Sequence, residues 1–157
     1  MKAASPIDVR VQAEDFDISA EIRKLAGERT DVGAVVTFTG RCRDEEGRLA
    51  ALELEHYPDM AETEIARIAR ETLGRWNLAG LTVIHRFGRI LPGQNIVLVV
   101  AASAHRKAAL EAADFLMDYL KSRAPFWKKE HLTSGEPGQW VTAKTEDEEA
   151  LAQWREE

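Results

Sequence analysis

The chain has 157 residues, 45% of them apolar, which suits one globular domain with a real core. Its 21 Lys and Arg stand against 27 Asp and Glu, a net charge of -6 that argues against a generally basic nucleic-acid-binding surface but allows a local cationic pocket. The single cysteine, Cys42, excludes an intramolecular disulfide and a cysteine-rich zinc site. No apolar run has the length of a signal peptide or a membrane helix, so a cytoplasmic protein is the expectation.

Ile7 to Gln12 alternates apolar and polar residues and predicts a half-buried strand. Asp17 is a suitable cap for a short helix through Ala26, with Ile18, Ile22 and Leu25 on one face and Gly27 as its stop. Gly33 to Gly40, rich in β-branched residues and bounded by glycines, reads as a buried strand. Arg41 to Arg48 is a charged loop. ALELEH follows as an alternating strand with Leu52, Leu54 and His56 on one face.

Pro58 and Asp59 open a helix, and Asp59 with Glu62 fits a capping box. Its buried stripe would be Ala61, Ile65, Ile68, Ala69, Thr72, Leu73 and Trp76. LTVIHRFG and NIVLVVAAS read as strands joined near Leu91-Pro92-Gly93-Gln94. Ser103 is the expected cap of a long helix ending near Arg123, with Ala109, Ala112, Ala113, Leu116 and Leu120 inward and Pro125 preventing continuation. A short strand at Gln139 to Ala143 and an acidic end that is helical or frayed complete the chain. The pattern predicts a single α+β domain over residues 1–157, with a mixed or antiparallel sheet packed against two to three helices.

The sequence contains no GxSxG, GxxxxGK[ST], HExxH or GxGxxG, and its four histidines lack metal-ligand spacing with one another. SAHRK places His105, Arg106 and Lys107 at a helix N-terminus, where cations are disfavoured by about 0.3–1 kcal/mol each. A docked anion such as phosphate would offset that cost; side chains bent into water are the other reading. In MDYLKSRAPFWKKEH, the bend at Pro125 would return Lys128 and Lys129 toward the domain, with Lys121 at a cleft edge. Crowded cations depress a lysine's pKa and suit it to base or nucleophile work, whereas a solvated basic helix end needs no such role. Arg41 and Arg43 are anion contacts or a solvated loop. They would also lower the pKa of Cys42 between them, although no histidine lies near to serve it as a base.

VVTFTGRCR, LEHYPDMAE, VIHRFGRILPGQ, SAHRKAALEA and MDYLKSRAPFWKKE occur in this order, followed by WVTAK. Each is weak alone. Together, over about Thr30 to Lys144, they resemble the MoaE family, the large catalytic subunits of molybdopterin synthase. The resemblance implies an α/β-hammerhead-like fold. It implies a sulfurtransferase that converts cyclic pyranopterin monophosphate (precursor Z) to molybdopterin. Sulfur would come from the C-terminal Gly-Gly thiocarboxylate of a small ubiquitin-like partner subunit. It further implies a homodimer within a heterotetramer, and no metal or other cofactor for this step.

By the same resemblance, Lys121 and Lys128 are the catalytic positions. Arg43, His105 and Arg106 are substrate-pocket residues, joined by Arg41, Cys42, Lys129 and Glu130. Phe38, Met117, Pro125 and Phe126 are candidate walls for the partner's tail. Two other readings use the same residues: a non-catalytic binding module for a phosphorylated metabolite or nucleotide, which would not need Lys121, and a structural subunit whose basic patch docks an acidic partner.

Overall fold

A computed structural model describes residues 6–57, 59–136, 138, 140–141 and 145–154. The first sheet is built from β1 (Ile7–Gln12), β4 (Gly80–Arg86), β6 (Asn95–Ser103) and β2 (Ala34–Arg41), in that spatial order. β1 runs parallel to β4, and the other pairings are antiparallel. β6 is apolar on both faces because both are covered. Helices α2 (Met60–Arg75) and α3 (Arg106–Arg123) bury Leu81, Val83, Val97, Val99 and Ala101 on one side. On the other, α1 (Ile18–Leu25) lays Ile18, Ile22 and Leu25 on Ile84, Leu98 and Val100. Each Val, Leu or Ile among them that is fully removed from water contributes about 1.5–3 kcal/mol.

The second sheet is wholly antiparallel: β5 (Gly88–Ile90), β3 (Leu49–His56), β7 (Phe126–Leu132) and β8 (Trp140–Val141). Its small core joins Leu49, Leu54 and Ile90 to Cys42. The chain passes between the sheets five times, at β2–β3, β3–β4, β4–β5, β5–β6 and β6–β7. Gly88, at φ 93, turns it from β4 into β5, a conformation that costs glycine little. α3 carries it from β6 to β7. The end of α3 therefore stands at the junction of the two sheets.

The single α+β domain expected from the sequence is present, with two sheets and four helices where two or three helices were expected. The additional helix is α4 (Thr145–Ala152), in the acidic end. Asp17 caps α1 as expected, accepting from the Ala20 N–H at 3.1 Å, and Gly27 follows at φ 47. Two caps differ. Asp59 sits at φ 68 and makes no side-chain bond to α2, so the capping box with Glu62 does not form. Ser103 ends β6, and its hydroxyl donates to Asn77 O, while His105 occupies the position before α3. The expected α3 stripe is buried, together with Phe115. Pro58 and most of the expected strand 139–143 lie outside the described residues; of that strand, Trp140–Val141 is seen. Among the described residues no helix is long and apolar enough to cross a membrane.

Candidate active site

A cavity of about 830 Å³ opens where the last turns of α3 meet β7 and the start of the 41–48 loop. Lys121 reaches it from α3 and Lys128 from β7; Arg41, Arg43 and Arg48 border it from the loop, with Glu45, Glu130 and Asp147 as its acids. Five cations against three carboxylates, on a chain of net charge -6, make this a locally cationic site suited to an anionic ligand.

Local structure aims these residues. β2 loses regular pairing with β6 between Gly40 and Arg41. Gly40 is required there, because a Cβ would stand 2.7 Å from Val97 Cγ1. The chain after it is tied to the Leu91–Gln94 turn: Cys42 N–H donates to Gln94 O at 2.8 Å and Gly93 N–H to Cys42 O at 2.7 Å. Arg41 donates to Gly93 O at 2.5 Å. Across the cavity, β7 pairs with β3 so that Lys128 lies opposite Leu54, Glu130 opposite Leu52 and Phe126 opposite His56. Strand alternation puts these three on one face. Behind them, His85 stacks on Phe126. Its burial pushes the His85 pKa down to about 4, with smaller contributions from Lys128 and His56.

Alternation also separates residues that the sequence groups together. Lys129 faces away from Lys128 and lies outside the cavity, its Nζ 5.9 Å from the Trp140 ring. Of the four expected tail-pocket walls only Phe126 lines the cavity. Met117 packs against the α2–α3 core, Pro125 is not among the lining residues, and Phe38 is 39% exposed on β2. His105 and Arg106 are exposed at the other end of α3, about 24 Å from Lys121 at 1.5 Å per residue. One copy of the chain does not bring them to the cavity.

Cys42 borders the cavity, but its thiol is buried, and its Sγ lies 3.8 Å from Ile90 O. Burial pushes its pKa up, and Glu45 adds to the effect. The lowering expected from Arg41 and Arg43 is thus reversed, because the side chain is buried in the second sheet's core with Leu49, Leu54 and Ile90. Sequence reasoning missed Glu45, Arg48, Ser122 and Asp147 as cavity residues. The first two lie in a visibly charged loop; no local pattern marks the others. Among the described residues no cluster of His, Cys, Asp and Glu could hold a metal ion.

Residues 11–123 match the family model described as "MoaE protein". The molybdopterin synthase catalytic subunit of Mesorhizobium japonicum is 66% identical over 155 residues, covering 99% of this chain and 98% of its own. That of Brucella melitensis is 62% identical over 151 residues, covering 96% and 93%. Among solved structures, molybdopterin cofactor biosynthesis protein E from Burkholderia multivorans superposes with a TM-score of 0.81 at 43% identity, covering 96% of this chain and 97% of that one. These agreements extend over nearly the whole length of the chain, and it belongs to the MoaE family of molybdopterin synthase catalytic subunits.

Proposed function

We propose that the protein performs the sulfur-transfer step of molybdopterin synthesis at the cavity between its two sheets, and that Lys121 and Lys128 carry it. The observation behind this reading is the convergence of those two lysines, from different elements, on one cationic cavity. Cyclic pyranopterin monophosphate is anionic, and Arg41 and Arg43 are placed to hold its phosphate or the anionic edge of its pterin. A small ubiquitin-like subunit delivers sulfur as a C-terminal thiocarboxylate. Lys121 serves that end of the reaction, as a proton-transfer group or as a transient acyl acceptor. Lys128 stabilises the negative charge that develops as sulfur attacks and the cyclic phosphate opens. The reaction takes place in the cytoplasm.

The distance from Lys121 to His105 and Arg106 favours a homodimer at the centre of a heterotetramer. Among the described residues β2 pairs only with β6, so its other edge is open. Val35 and Phe38 on β2 and Leu110 on α3 are exposed nearby. Open apolar edges of this kind are normally covered. A second copy seated there with α3 antiparallel would bring its own His105 and Arg106 toward the Lys121 end.

The deciding experiment is single-turnover formation of molybdopterin from precursor and thiocarboxylated small subunit, with wild type beside Lys121→Ala and Lys128→Ala. Product from wild type and a large loss in both variants is expected. Full rates in both variants would remove the lysines from the chemistry. A folded wild type that binds precursor without turning it over would restore the binding-module reading.

A further inference from the structure

Part of the cavity wall comes from α4, beyond the motifs that carry the family resemblance. α4 and the residues just after it are fastened to the end of α3 by three side chains. Ser122 Oγ donates to the backbone oxygen of Asp147 at 3.0 Å. Arg123 pairs with Glu148 at 2.5 Å. Asp118 accepts from Trp154 Nε1 at 2.7 Å and from Gln153 Nε2 at 3.0 Å. Trp154 is held in turn: it is buried edge-on against Trp76 and Phe115, and Arg75 donates to its backbone oxygen at 3.1 Å.

The place of these bonds matters. The last turn of a helix has lost its own carbonyl partners and frays first. α3 ends at Arg123, Ala124 is already extended, and Pro125 has no N–H to return to the helix. Lys121 thus stands on the turn that its own helix supports least. Asp118 lies one turn earlier, while Ser122 and Arg123 immediately follow it. Together these bonds fix both sides of Lys121, while Asp147 borders the cavity itself.

We propose that α4 and its C-terminal neighbours form a positioning strap, with Asp118 a positioning residue that holds the Lys121 turn of α3 in the cavity. The kinetic part of this inference rests on the role proposed above for Lys121; the structural part does not. The test uses full-length Asp118→Ala, Asp118→Asn and Trp154→Phe. Asn keeps an oxygen acceptor, and Phe keeps the aromatic packing while removing the N–H donor. Amide exchange across residues 117–124 is read beside single-turnover rate and precursor affinity.

Asp118→Ala and Trp154→Phe should speed exchange at the end of α3 and slow turnover, each about tenfold, because small misplacements of a reacting group are costly. Precursor affinity should stay within about twofold, since an anion site of several cations tolerates one shifted lysine. Asp118→Asn should restore both readouts. Ile22→Ala, in the α1 cluster on the far face of the first sheet, should lower stability without altering exchange at 117–124. Unchanged exchange there in Asp118→Ala, or the same slowing of turnover in Ile22→Ala, would overturn the strap. A wild type that makes no molybdopterin would instead sink the proposed function, and the exchange data would still decide the strap.

Discussion

His85 on β4 and Phe126 on β7 stack face to face, with ring centroids 3.8 Å apart and planes 14° apart. This contact joins the two sheets, and Phe126 is two residues from Lys128 on the same strand face. The imidazole in this stack is held neutral by burial, which lowers the His85 pKa to about 4.

That shift sets a pH dependence. Between about pH 6.5 and pH 4 the unfolded chain binds a proton at His85 that the folded chain does not, so stability falls as the solution is acidified through this window. At pH 5 the loss relative to pH 7 is about 2 kcal/mol from this residue. His85→Phe keeps a flat ring against Phe126 and removes the proton. Urea unfolding at both pH values should show a smaller loss in the variant by about that amount; identical losses would show that His85 is not buried neutral.

Mixed dimers test the shared site. Lys121→Ala and Arg106→Ala should each be nearly inactive alone. Unfolded and refolded together, they should recover activity at roughly a quarter of the sites, because half the dimers are mixed and each mixed dimer holds one intact pocket. Absence of any recovery, with mixed dimers demonstrated by mass spectrometry, would place both residues in the same protomer's site, and full activity of Arg106→Ala alone would remove Arg106 from it.

Gly40 and Val97 form a tight pair at the β2 irregularity. Gly40→Ala should destabilise the protein by about 1–3 kcal/mol through overpacking and weaken precursor binding by displacing Arg41 and Arg43. Adding Val97→Ala opens the space, so the double variant should be more stable than the sum of the single effects. Strict additivity in thermal unfolding would exclude the predicted clash.

Cys42 is predicted to be a packing residue. Its buried, pKa-raised thiol should react with iodoacetamide at pH 8 far more slowly in the folded protein than in urea. Cys42→Ala should cost about 1 kcal/mol of stability and keep turnover within a fewfold. A dead but folded Cys42→Ala would give the sulfur a place in the reaction.

The sequence by itself determined what depends on local periodicity. The α3 stripe from Ala109 to Leu120 follows from spacing of three to four residues, the α1 cap at Asp17 from residue type, and the β6 strand from its apolar run, and each is present. It also identified Lys121, Lys128, Arg41 and Arg43 as candidates, because they stand in recognisable motifs, and these four line one cavity. Tertiary structure alone decided what depends on pairing between distant strands. The β3–β7 register turns Lys128 inward and Lys129 outward, although the two are adjacent in sequence. The length of α3 carries His105 and Arg106 away from the lysines, and the core of the second sheet buries the Cys42 thiol. The pairing that brings α4 to Lys121 runs through Asp118 and Trp154, thirty-six positions apart. No local pattern encodes it, because its strength comes from an aromatic cluster assembled only when the helices pack.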